Sequence, residues 1–147
     1  MSSNIAKTAV EEPFLLTAIL TIASKHECSW MQVHYHCWDY MKELLLEVLL
    51  ALPWTHRVGS VEGLLLLADW LPDSAFDTQT TSGSSSGSFV EDGTAWSLVG
   101  QAVRHAYLLR LDRNSFRDNF VDESEEQVER KRIAWTCKPF LAELWIV

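Results

Sequence analysis

The densest set of chemistry-bearing side chains is His26-Glu27-Cys28, followed by His34-Tyr35-His36-Cys37. Imidazole nitrogens and thiolates are ordinary zinc ligands, so His26, Cys28, His34, His36 and Cys37 raise a metal centre as the first chemistry to consider. Their spacing argues against it. His34 and His36 are two positions apart, and on a helix they diverge by about 200°, so one face cannot present both. No Cys-x-x-Cys pair accompanies them. The simpler expectation is ring packing at a helix start, with His34 beside Trp38 and His36 beside Tyr40 at i,i+4 spacing. Covalent catalysis finds less support. There is no Gly-x-Ser-x-Gly elbow and no glycine-rich phosphate loop, and Ser84 to Ser88 is low-complexity sequence. The carboxylates from Asp122 to Glu129 and the triplet Arg130-Lys131-Arg132 read as a solvated helix start. Ser124 and Gln127 fit a capping box, and Glu126 to Arg130 is the favourable i,i+4 order.

The elements that must position these residues are helical. Patterns with helical period predict about five helices and no convincing strand, an all-α multi-helix bundle or irregular array. The first is expected from Pro13 to Lys25. Pro13 suits a first helical position and Glu11 and Glu12 complement the dipole. It is apolar nearly all round, which predicts a central helix. The second is expected from Val33 to Leu52, with Val33, Cys37, Tyr40, Met41, Leu44, Val48 and Leu52 on its inner stripe and Pro53 as its stop. The third is expected to start at Ser60 as N-cap and to run to Trp70, before Pro72. Residues 73–93 contain Ser82-Gly83-Ser84-Ser85-Ser86-Gly87-Ser88 and are expected to form a flexible loop. The fourth helix is expected from Thr94 to Leu111, and the fifth from about Ser124. Residues 1–12 read as a flexible arm.

The chain's 147 residues suit one domain, or a piece of one. Its 48% apolar and 22% charged residues are the balance of a globular chain. A net charge of −8 argues against a nucleic-acid surface and against anionic membranes, because neutralising phosphates needs clustered Lys and Arg. Three scattered cysteines, Cys28, Cys37 and Cys137, read as reduced thiols rather than a disulfide framework. The start has no basic head before an apolar run, so no secretory signal is expected, and Phe14 to Ala23 is too short to span a bilayer.

Three segments, in order, carry a resemblance. They are Val61-Glu62-Gly63-Leu64-Leu65-Leu66-Leu67-Ala68-Asp69-Trp70-Leu71-Pro72, then Ala95-Trp96-Ser97-Leu98-Val99-Gly100-Gln101-Ala102-Val103-Arg104-His105-Ala106-Tyr107-Leu108-Leu109-Arg110-Leu111, then Glu129-Arg130-Lys131-Arg132-Ile133-Ala134-Trp135. Together they resemble the fungal-specific transcription factor domain, the helical middle-homology or xylanolytic activator regulatory region of fungal binuclear zinc-cluster transcription factors. That family places a variable loop after a leucine-rich helix, then an Ala-Trp-x-x-x-Gly-x-Ala-x-Arg-x-Ala helix, then an acid-rich break and a basic triplet. The resemblance covers about Pro13 to Cys137, and residues 13–137 are read as part of the family's domain.

The resemblance implies regulation of transcription in the nucleus through protein contacts, with room for a small effector and without enzymatic activity. Its family-motif residues here are Leu65, Trp70, Trp96, Gly100, Arg104, Arg130, Arg132 and Trp135. Gly100 is expected to permit close helix approach, offsetting a helix penalty of about 1 kcal/mol. Arg104 is expected either to reach a carboxylate or helix C-terminus or to lie on the surface. The family's zinc belongs to a six-cysteine DNA-reading module that this chain lacks, so no cofactor and no direct nucleic-acid contact are expected of it. The family continues past the basic triplet in one long helix with an aromatic-x-x-Asp-Arg motif. Here Lys138-Pro139-Phe140 intervenes, and residues 138–147 read as an atypical tail, as in a truncated or mis-spliced product. Helices cut from a larger domain would leave apolar surface bare and favour self-association. Two other readings compete: a small metal- or cofactor-binding helical protein using the His26–Cys37 cluster, and a stand-alone interaction module.

Overall fold

The leucine-rich stretch ending at Trp70 forms the centre of the molecule. In the computed structural model, residues 10–25, 28–70, 87–114 and 125–144 are described, with side chains for 10–25, 28–70, 93–112 and 125–136. The order is α1 (Pro13–Lys25), α2 (Met31–Leu49), α3 (Val58–Trp70), α4 (Gly87–Leu108) and α5 (Glu125–Leu144). Single turns at Cys28–Trp30, Pro53–Thr55 and Leu111–Asn114 join them. The fold is all-α, and no strand occurs among the described residues.

α3 packs against α1, α4 and α5. It buries Gly59, Ser60, Val61, Gly63, Leu64, Leu65, Leu67 and Ala68. A helix apolar all round must be surrounded by protein, and here that helix is α3 rather than α1, as the sequence suggested. α1 instead buries a stripe of Phe14, Thr17, Ala18, Thr21 and Ser24 and leaves Ile19 and Leu20 about half exposed. Its buried hydroxyls are satisfied locally. Thr17 Oγ1 donates to Pro13 O at 2.8 Å, Thr21 Oγ1 to Thr17 O at 2.8 Å, and Ser24 Oγ to Thr21 O at 3.1 Å. Such back-bonding removes the cost of burying a hydroxyl, so small side chains can line the seam that larger aliphatics would hold apart.

Several boundaries differ from expectation. α3 begins at Val58, because the Ser60 N–H already donates to Arg57 O at 3.1 Å; Ser60 is a buried residue inside the helix, not its cap. α4 begins at Gly87, so residues 87–93 of the expected loop are helical, while 71–86 lie outside the described residues. α5 continues through Pro139 to Leu144. Proline's fixed φ is itself helical, and the helix gives up one hydrogen bond there without ending. Of the expected flexible arm, residues 1–9 lie outside the described residues, whereas Glu11 and Glu12 are tied to the body, as shown below.

α2 ends in a Schellman motif. Leu52 N donates to Glu47 O at 3.2 Å and Ala51 N to Val48 O at 2.9 Å, with Ala51 at φ 52°. That left-handed position usually holds glycine. Of the inner stripe expected for α2, Met41, Leu44 and Val48 are buried, but Val33 and Tyr40 are about half exposed.

Candidate functional site

The second turn of α5 brings Arg130 to the N-terminal ends of α1 and α3. Its guanidinium lies between two carboxylates. Nη1 and Nη2 donate to Glu12 Oε1 and Oε2 at 2.9 and 2.6 Å, and Nε donates to Glu62 Oε1 and Oε2 at 2.9 and 3.1 Å. Nη2 also donates to Glu62 Oε2. Planar fork geometry suits arginine to this double bidentate contact. Hydrogen bonds to Glu62, then to Glu12, hold the guanidinium charged well above its ordinary range. The side chains of Glu12 and Glu62 are 16% and 25% exposed and that of Arg130 39%, so solvent screens the cluster only in part. An arginine held this way stays charged. Its chemistry is that of a clamp joining three helices whose contacting residues are 68 and 118 positions away in the chain.

Space for this clamp comes from α3. A Cβ added at Gly59 would lie 2.8 Å from Glu12 Oε2, and one at Gly63 would lie 2.7 Å from Phe14 Cδ1. The two glycines, one turn apart, let the start of α1 lie directly on α3. Gly100, in contrast, has nothing within 4 Å of its absent Cβ. The close approach expected there does not occur.

A groove of about 330 Å³ opens beside the clamp, lined by Glu12, His56, Arg57, Leu109, Gln127 and Arg130 among others. Arg57 is anchored by donation from Nη1 to Glu11 O at 2.5 Å. Behind His56 lies His105, whose ring is fully buried. The two rings meet edge-on with centroids 6.3 Å apart. His105 Nε2 lies 2.8 Å from Val48 O, which fixes the proton on Nε2. Nδ1 is buried without a hydrogen-bond partner. Burial, and secondarily His56, lower the His105 pKa below 6.5, with the bond to Val48 opposing. Comparison with known protein families, curated proteins and solved structures finds no match for this chain.

The motif residues scatter in role. Leu65 is buried in the core cluster. Trp135 packs against it and meets Tyr107 edge-on at 5.7 Å. Trp70 and Trp96 are nearly half exposed, and Arg132 is exposed. Arg104 is the surface arginine of the two alternatives, donating only along its own helix to Gln101 Oε1 at 3.1 Å. Arg130 is not part of a solvated stripe paired to Glu126; it leaves its helix for Glu12 and Glu62.

Of the histidine–cysteine cluster, the described members Cys28, His34, His36 and Cys37 are not gathered around a common point. Among the described residues no three His, Cys, Asp or Glu side chains are placed to hold a metal ion. His26 lies outside them. His34 turns back on α1, its Nδ1 3.0 Å from Thr21 O and 3.2 Å from Ser24 Oγ, rather than pairing with Trp38. His36 is exposed, Cys28 is an exposed free thiol and Cys37 a half-buried one. Sequence reasoning missed Glu12, Glu62, Gly59, Gly63 and His105. Two glycines one turn apart on a leucine-rich helix were the readable signal for the close seam.

Proposed function

We propose that this chain is the regulatory, middle-homology region of a fungal zinc-cluster transcription factor, acting in the nucleus through protein contacts. In this reading it performs no catalysis and does not itself contact DNA. The observation that carries the proposal is the meeting of its motif segments. The leucine-rich segment supplies Glu62, the Ala-Trp segment supplies Tyr107, and the basic-triplet segment supplies Arg130 and Trp135. Arg130 clamps Glu62, and Trp135 stacks edge-on against Tyr107. Segments spread along the sequence thus act as one packed body, which is what a switch with two packings requires. The groove beside Arg130 is the place we assign to a small effector, since it combines fixed cations with apolar walls from Val58, Leu109 and Leu111.

A fusion tests this. The chain is placed between an unrelated DNA-binding module and an activation domain and read with a reporter. The expected result is reporter output lowered severalfold by the chain and restored by Arg130→Ala, with equal protein levels. Output indifferent to both the chain and the substitution would remove the proposal.

A further inference from the structure

The outer side of α2 contributes nothing to the core, yet it is not polar. Met31, Tyr35, Leu46 and Leu50 are 49%, 60%, 56% and 64% exposed. Between them, Asp39 and Lys42 form an exposed pair at 2.7 Å. At about 100° per residue, these six positions fall in one stripe about 100° wide. Leu50 extends the stripe because it keeps helical dihedrals just past the last turn.

The stripe has a symmetry that core packing does not require. About the point between Tyr40 and Met41, Met31 mirrors Leu50, Tyr35 mirrors Leu46, and Asp39 mirrors Lys42. At the edges of the same stripe the exposed Gln32 and Leu49 also mirror one another, polar against apolar. Among the six positions each apolar residue is mirrored by an apolar residue and the acid by the base. This is the pattern of an isologous contact, in which residue i of one copy meets j of the other and j meets i.

We propose that α2 docks antiparallel on α2 of a second copy of this chain, with Met31 against Leu50, Tyr35 against Leu46 and Asp39 against Lys42 across the dyad. Charge complementarity selects the occupant and its direction. A parallel pair would set Asp39 on Asp39 and Lys42 on Lys42, whereas the antiparallel pair places opposite charges together twice. One helix face per copy is a small interface, so the dimer is weak and dissociates on dilution. The proposal goes beyond the regulatory reading and does not depend on it.

Analytical ultracentrifugation of the whole chain tests it. The wild type is expected to move from its 16.8 kDa monomer mass toward twice that value as concentration rises. Asp39→Lys and Lys42→Asp each place like charges across the dyad twice, and each is expected to weaken association at least about tenfold. Mixing the two variants makes every cross-pair complementary again, so the mixture is expected to form a one-to-one heterodimer. Leu46→Glu is expected to leave only monomer while far-UV circular dichroism stays unchanged, since Leu46 is more than half exposed and lies outside the core cluster. Direction is read with Tyr35→Cys and Leu46→Cys chains. An intermolecular disulfide between those two positions, mapped by mass spectrometry, is expected in the mixture and from neither chain alone. A wild type that stays monomeric, a dimer that survives Leu46→Glu, or a Tyr35→Cys chain that cross-links to itself at that position would each overturn the proposal.

Discussion

α3 has two very different neighbours. Toward α1 and α5 the contact is made by what is missing and by charge: glycines at 59 and 63 admit Glu12 and Phe14, and Arg130 ties the ends. Toward α4, its largest contact among the described residues, the partner offers the small buried aliphatics Ala95, Val99, Ala102 and Ala106, besides a buried His105 that bonds to α2. There the one glycine in the motif has nothing to make room for. Close approach can therefore be achieved by glycine on one side of a helix and by alanine on the other. A glycine's meaning is set by its neighbour, not by its motif.

Substitutions can break the first seam or sharpen its contrast with the second. Arg130→Ala leaves two partly buried carboxylates facing each other. We expect a loss of about 2 kcal/mol, below the full value for a buried pair because the guanidinium is part-exposed, measured by urea unfolding. Gly63→Ala drives a methyl into the fully buried Phe14 ring. Overpacking of about 1–3 kcal/mol outweighs a helix-propensity gain of about 1 kcal/mol, so the melting temperature should fall. Gly100→Ala meets nothing, so stability should rise by about 0.5–1 kcal/mol and the melting temperature with it. Equal effects at the two glycines would erase the contrast drawn here.

Acid should act on the α4 side. His105 titrates below 6.5 in the folded chain, so the unfolded chain takes up the proton first. Its contribution to stability is complete above 6.5 and is lost as pH falls from there toward the folded value. Relative to His105→Gln, the wild type should lose at most about 1.4 kcal/mol between pH 6.5 and 5.5 in parallel unfolding curves. The smallest expected effect is at the end of α2. Ala51→Gly relieves a left-handed backbone and should raise stability by about 0.5 kcal/mol, visible as a small rise in denaturation midpoint.

Local signals in the sequence located α1 well. Pro13 opened it and Lys25 closed it, as the proline and dipole arguments require. The all-α class followed from periodicity. Positions such as Ser60 misled because a good capping residue also fits inside a buried helix when the preceding carbonyl accepts its N–H. Glu12 and Glu62 were not legible as a site, since only the fold brings them to Arg130. His105 stands beside Arg104 in the sequence, yet successive helical residues point about 100° apart. One lies in the interior and the other in water. The motif directed attention to Gly100 when the spacing of Gly59 and Gly63 held the packing information.

The carbonyl of Val48 receives the Ala51 amide, the Gln101 amide nitrogen at 3.3 Å and the His105 imidazole at 2.8 Å. The tail of α2 is thereby moored to the middle of α4 at a single oxygen atom. Isotope exchange at the amides of Ala51 and Leu52 should then slow or quicken together with events inside α4. The end of α2 and the interior histidine are thus joined through one acceptor.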